Sequence, residues 1–336
     1  MLIKLKPQKR IKQKVALLAT LLATSFAALA QSTEQVEISG SEGTALVGEV
    51  LSSFDNPWAM TFLPDGHSLV TEKPGTMWLL DKNQQKRFSV SNVPSVTARG
   101  QGGLGDVIIH PEFATNSTIY VSYVERDPKD DKFSGAVIER ATLNITESGA
   151  SLSNRELIWR QSPKVTGNGH YSHRMAISPD GYLFISSGER QKFTPAQNMA
   201  MNLGKIVRLN DDGSVPEDNP FYGNGSVTEQ IWTLGHRNPL GIDFDAEGNL
   251  WAHEMGPRHG DELNIIERGR NYGYPTVSQG DHYSGVKIPN HEDIPIFKSP
   301  EKAWVPAISP AGFIIYKGDK FGDWTGNGFI GGLSSK

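Results

Sequence analysis

The stretch Trp232 to Pro275 reads WTLGHRNPLGIDFDAEGNLWAHEMGPRHGDELNIIERGRNYGYP. It contains two corners separated by a hairpin. The first corner is Arg237-Asn238-Pro239, and the second is Gly256-Pro257 with Asp261 and Glu262 just beyond. Proline removes a backbone donor and glycine accepts positive φ, so both corners must bend. Between them Ile242 to Trp251 alternates apolar and polar residues around a turn, which is the pattern of a β-hairpin half buried on one face. Strands that end in charged corners are how a rigid β scaffold presents a site on its loops.

The same hairpin grammar recurs outward from this stretch. MTFLPDGHSLVTE (60–72), VIIHPEFATNSTIYVSY (107–123) and MAISPDGYLFISSGE (175–189) precede IDFDAEGNLWAHE (242–254), and AGFIIYKGDKFGDWTGNGFIGG (311–332) follows it. Each is an alternating run, a polar turn and a second alternating run. Repetition of one supersecondary unit at intervals of some tens of residues predicts an all-β radial fold, the β-propeller. Helical periodicity is weak, with Ala196 to Asn202 the one short candidate.

The N-terminus reads differently. Six basic residues between Lys4 and Lys14 precede the apolar, small-residue run Val15 to Ala30, which ends Ala28-Leu29-Ala30. That order is a secretory signal, so residues 1–30 are expected to be an export peptide and 31–336 the folded domain. The run is short for a membrane span and lacks a stop-transfer flank, so no membrane anchor is expected. Without it the formal charge moves from −4 to about −10, which argues against nucleic acid as a partner. There is no cysteine, hence no disulfide framework and no lipid-anchoring thiol. The periplasm is the expected location. The sequence leaves open whether the chain pairs into a homodimer.

Four motifs in order, G-H-R-N-P-x-G, E-x-G-P, D-E-x-N and N-Y-G-x-P, resemble the soluble PQQ-dependent sugar dehydrogenases of the glucose/sorbosone dehydrogenase family. The resemblance runs from about Asn56 to Leu333. It implies a six-bladed β-propeller that oxidises aldose sugars at C1 to lactones by hydride transfer to PQQ, with Ca²⁺ as metal and a further electron acceptor that the sequence does not identify. Relatives continue into a last blade with an Arg-x-Arg-Asp-Val motif. This chain ends at Lys336, so a C-terminally truncated propeller is expected, with the early stretch Gln35 to Phe54 contributing an outer strand to the incomplete blade.

By the same resemblance, His170 in GNGHYSHR is the general base. Imidazole suits the task, since its ordinary pKa near 6.5 lets it take a hydroxyl proton at neutral pH. Two residues depart from the family pattern: Gly169 stands where an Asp or Asn precedes the base, and His173 replaces a glycine, where it is expected to crowd the pocket. Arg237 and Asn238 match the positions that hold the quinone, where a guanidinium fork can stabilise developing negative charge. The carbonyls of Gly256 and Pro257 match ligands of the Ca²⁺ that also grips PQQ, with Asp261 in support, and hard cations favour such oxygens. Glu262 and the backbone of Tyr272 match a second, structural Ca²⁺ site. Gln101 matches a sugar-contacting glutamine. Ser334 stands where some relatives carry a PQQ-binding lysine.

The residues themselves allow other readings. Arg237 could pair with Asp243 or Glu254 at a blade corner, and Arg174 and Glu189 read as structural pairing groups. Gly100, Gly102 and Gly105 fit a dinucleotide-binding pattern, but Val107-Ile108-Ile109 follows as strand and no helix opens there. His170 with His173 could suggest zinc, but residues three apart on extended chain point to opposite faces. A non-catalytic propeller that binds a glycan or protein partner is the alternative function, and a Ca²⁺-dependent propeller lactonase a third. The pairing of His170 with Arg237-Asn238 favours the quinoprotein.

Overall fold

The computed structural model describes residues 2–7, 35–39 and 45–334. Three hairpins of the sequence repeat are closed by the same chemistry. In these the amide of Leu63, Ser178 or Asp245 donates to the carbonyl of His67, Tyr182 or Asn249, at 2.8, 2.9 and 3.0 Å. The glycine between them, Gly66, Gly181 or Gly248, sits at φ 94°, 93° or 85°, and its amide donates back to the first residue. Only glycine takes that left-handed position without cost, which is why Pro-Asp-Gly and Ala-Glu-Gly mark the turns.

Three strands come first: β1 (Leu2–Pro7), β2 (Gln35–Ser39) and β3 (Ala45–Ser52) form a small sheet in the order β1-β3-β2. Leu2–Pro7 of the basic segment is thus strand, while the apolar run Val15 to Ala30 lies outside the described residues. The stretch expected to add an outer strand to a further blade instead pairs within this sheet.

Four meanders follow. The first is β4 (Pro57–Phe62), β5 (Ser68–Glu72), β6 (Thr76–Leu80) and β7 (Arg87–Ser91). The second is β8 (Leu104–Ile109), β9 (Thr118–Arg126), β10 (Phe133–Thr146) and β11 (Gly149–Arg160), with β12 (Val165–Thr166) paired to β10. A short parallel pairing of β7 with β11 joins the two. The third runs β13 (Ser172–Ile177), β14 (Leu183–Ser187), β15 (Lys205–Leu209) and β16 (Ile231–Leu234). The fourth runs β17 (Pro239–Phe244), β18 (Leu250–Glu254), β19 (Asp261–Ile265) and β20 (Lys302–Trp304). A fifth sheet pairs β21 (Pro310–Ile315) with β22 (Gly328–Gly332).

The first strands β4, β8, β13, β17 and β21 neighbour one another in that order and together line one cavity of about 520 Å³. Sheets set radially around a central channel are the propeller arrangement expected from the repeat. Side-chain alternation glues them. Leu183 and Ile185 of β14 pack with Ile138 and Trp159 of the second sheet, whereas Phe184 between them packs with Ile242 and Phe244 of the fourth. Among the described residues no helix is long and apolar enough to cross a membrane. The helical turn expected over Ala196 to Asn202 is a 3-10 segment, Thr194–Gln197, that covers only the first two of those residues.

Candidate active site

In an antiparallel sheet the start of the first strand and the end of the second lie at one rim, so every recurring hairpin delivers two loops to the same side. That rim gathers the residues before β8, before β13, after β14, before β17 and after β18. A cavity of about 270 Å³ there is walled by His170, Glu189, Gln191, Arg237 and Pro257, with Phe193, Tyr274, His282 and Tyr283 among its further lining. The central channel is a separate cavity.

His170 is buried, and its backbone is left-handed at φ 48°. Its amide donates to Gln101 Oε1 at 2.6 Å, and its Nδ1 lies 2.5 Å from Glu189 Oε1. Nε2 has no protein partner among the described residues. Glu189 is fully buried, and its other oxygen accepts the amides of Lys192 and, at 2.6 Å, Phe193. Burial works against its charge, yet the bonds from His170 and those amides hold it below the usual carboxylate range. Burial, opposed by the Glu189 bond and aided by the charge of Arg237, pushes the His170 imidazole below its ordinary value. The pair is therefore a carboxylate beside a neutral imidazole at neutral pH. Glu189, expected to be merely structural, is the orienting partner of His170. The signal in the sequence was its place at the glutamate corner closing the third hairpin.

Arg237 reaches the pocket from the loop before β17. Its amide, not its guanidinium, meets Glu254, at 2.5 Å, and Asp243 instead takes the amide of Ile315. The guanidinium donates to the carbonyl of Met255 at 3.0 Å and lies 6.0 Å from the ring centres of both Tyr274 and Tyr283. Its Nε is buried with no partner. The neighbouring Asn238 accepts from Ser172 Oγ at 3.0 Å, and its Nδ2 is also buried and unpartnered. Buried donors without partners are costly, so Arg237 Nε, on a residue of the pocket wall, suits an acceptor-rich ligand, whereas Asn238 does not line the pocket.

Gln101 does not offer its side-chain oxygen to a sugar. Its carbonyl oxygen is committed to the His170 amide, and its backbone amide to Asn168. His173 does not crowd the pocket either. Its ring stacks on Trp58 with centroids 4.9 Å apart and its Nδ1 is 2.7 Å from Ser122 Oγ, while His170 turns to Glu189.

The second corner folds back tightly. A Cβ on Gly256 would lie 2.1 Å from the carbonyl oxygen of His259, so only glycine fits. Asp261 holds the corner, accepting the amide of Gly256 at 2.8 Å and those of Ile308 and Ser309 at 2.8 and 2.7 Å. Behind it a void of about 10 Å³ is lined by Gly256, Pro257, Glu254, Glu262 and Tyr272. Burial and then the charge of Glu254 push the Glu262 carboxyl up. The Tyr272 carbonyl accepts from His291 Nε2 at 3.0 Å. Among the described residues no three His, Asp or Glu side chains gather into a metal cage, so a cation here would rest largely on carbonyls.

Known proteins resemble this chain in sequence and fold. The family model for Glucose / Sorbosone dehydrogenase matches residues 54–336. The chain is 38% identical over 293 residues to an aldose sugar dehydrogenase, YliI, of Escherichia coli K12, covering 86% of this chain and 78% of that protein. The crystal structure of the soluble E. coli aldose sugar dehydrogenase in its apo form superposes with a TM-score of 0.78, at 38% identity, over 83% of this chain and 81% of that one. The PQQ-bound aldose sugar dehydrogenase of Streptomyces coelicolor gives 0.69 at 26% identity, over 85% and 76%. The chain belongs to the glucose/sorbosone dehydrogenase family.

Proposed function

We propose that this protein is a PQQ- and Ca²⁺-dependent aldose sugar dehydrogenase that oxidises C1 of the sugar to the lactone, with His170 as general base. The observation that carries the reading is the His170–Glu189 pair, at 2.5 Å, facing Arg237 across one pocket. The relatives named above supply the substrate class and the quinone.

The residues fit the cofactors. Arg237 Nε, on a residue of the pocket wall, is an unsatisfied buried donor suited to the oxygens of a quinone polyacid, with the adjacent Asn238 proposed as its companion. Gly256 and Pro257 offer backbone oxygens for Ca²⁺ beside it, and Glu262 with the Tyr272 carbonyl offers a second cation site where two buried carboxylates share one small void. When bound, PQQ supplies the two-electron acceptor for hydride from C1.

The chain does the rest. His170 Nε2 takes the proton of the C1 hydroxyl as hydride departs, so the carbon loses two electrons and one proton goes to the imidazole. Glu189 fixes the tautomer that leaves Nε2 bare and stabilises the imidazolium that forms. Gln101 holds the His170 peptide, and through its remaining amide can face the sugar. Phe193 and Tyr283, both exposed, offer apolar walls for the sugar face.

Residues 1–30 are read as an export signal, the periplasm as the compartment, and the propeller as six-bladed. Purified protein should reduce a redox dye with an aldose only when PQQ and Ca²⁺ are both added. Sugar oxidation with NAD and no quinone would overturn the proposal, and binding of sugar without turnover under any acceptor would favour the non-catalytic reading.

A further inference from the structure

The residue after Glu189 carries an arrangement that the chemistry above does not use. Arg190 is 1% exposed, buried as fully as a core leucine. Its Nε donates to the carbonyl of Gly169 at 2.9 Å, and its two terminal nitrogens donate to the carbonyls of Ser134 at 2.6 Å and Gly167 at 2.7 Å. Its own backbone amide donates to the carbonyl of His170 at 3.3 Å, and its guanidinium lies 3.7 Å from the Tyr171 ring centre. One residue therefore holds the peptide before His170 and the peptide after it, and ties both to β10 in the next sheet.

The backbone needs such a hold. His170, Ser172 and His173 all take left-handed φ, at 48°, 57° and 57°, and none is glycine. Conformations of this kind are strained in non-glycine residues and persist only where surroundings over-determine them. A lysine would carry its three donors on one nitrogen, so it would not meet the carbonyls that Nε and the two terminal nitrogens of Arg190 reach from separate positions.

We propose that Arg190 is a positioning residue for sugar oxidation, clamping the Gly167–Tyr171 loop so that the His170 imidazole stands at its working distance. This rests on the reading of His170 as base. Small misplacements of a catalytic group cost up to about 10²-fold in rate. Arg190→Lys, which keeps the charge but not the fork, should lower kcat of the holoenzyme about 10- to 100-fold. KM for the sugar and the PQQ titration should stay within about twofold.

Arg190→Met should show the same fall and should also move the acid limb of kcat/KM to higher pH, since loss of a nearby cation favours the imidazolium. The other groups facing His170, namely Glu189, Arg237, Tyr274, His282 and Tyr283, are unchanged in that variant. Free guanidinium ion should restore turnover to Arg190→Gly. Wild-type kcat in Arg190→Lys overturns the proposal, as does a parallel loss of PQQ affinity and kcat, which would mark a general scaffold role. If Arg190→Lys is recovered only unfolded, absence of guanidinium rescue in Arg190→Gly is the overturning result. His170→Gln run alongside separates the two ideas: undiminished turnover there removes the base itself, whatever Arg190 does.

Discussion

At the scale of single residues, the chemistry rests on a carboxylate 2.5 Å from an imidazole in a place where both are buried. Burial lowers the imidazole's pKa from 6.5, and the base must be unprotonated to act. Activity should therefore persist below the pH at which an ordinary histidine is half protonated, and a pH profile of kcat/KM would show its acid limb under 6.5. Glu189→Gln removes the charge that favours the imidazolium and loosens control of the tautomer. Turnover should fall about 10- to 100-fold, with the limb moving lower still, because the carboxylate no longer raises the imidazole's pKa. His170 and Arg237 were legible in the sequence because each sits in a short motif. Glu189 and Arg190 were not assigned their roles, because their partners lie across loops that only the folded sheets bring together. The crowding expected of His173 failed for a similar reason: its left-handed φ turns the ring onto Trp58, a residue 115 positions earlier in the chain.

At the scale of elements, the hairpins were legible almost residue by residue. Their alternation and their glycine turns are local, so Met60–Glu72 and Ile242–Glu254 are strand–turn–strand as read. What local pattern could not show is how closely the hairpin ends approach each other. Gly188 ends the third hairpin with its amide on the carbonyl of Tyr171, and a Cβ there would lie 2.1 Å from the carbonyl oxygen of His170. Gly188→Ala must then shift the His170 loop rather than a yielding side chain. Far-UV circular dichroism should be unchanged while kcat drops at least about tenfold. Full activity would show that the loop has more freedom than its contacts allow.

At the scale of the whole molecule, one side chain ties four sheets together around the central channel. Arg174 of β13 donates to Leu240 of β17 at 2.9 Å, pairs with Asp106 of β8 at 3.4 Å, and lies 3.8 Å from the Trp58 ring centre of β4. The sequence suggested pairing across blades for Arg174 but could not name the partners, since they come from three separate hairpins. Arg174→Met leaves Asp106 buried without its cation, a loss typically worth about 3–5 kcal/mol. Urea unfolding should show that scale of destabilisation, with KM for sugar little changed because Arg174 does not line the His170 pocket.

The central claim is that His170 removes a proton from the sugar while the rim around it holds the quinone. The direct measurement is anaerobic rapid mixing of the PQQ- and Ca²⁺-loaded protein with an aldose, following the bound cofactor's absorption, in wild type and His170→Gln. Both proteins should show the same cofactor spectrum before mixing. Reduction should then be slower by about 10²–10⁴-fold in the variant. Equal rates of reduction in the two would contradict the account.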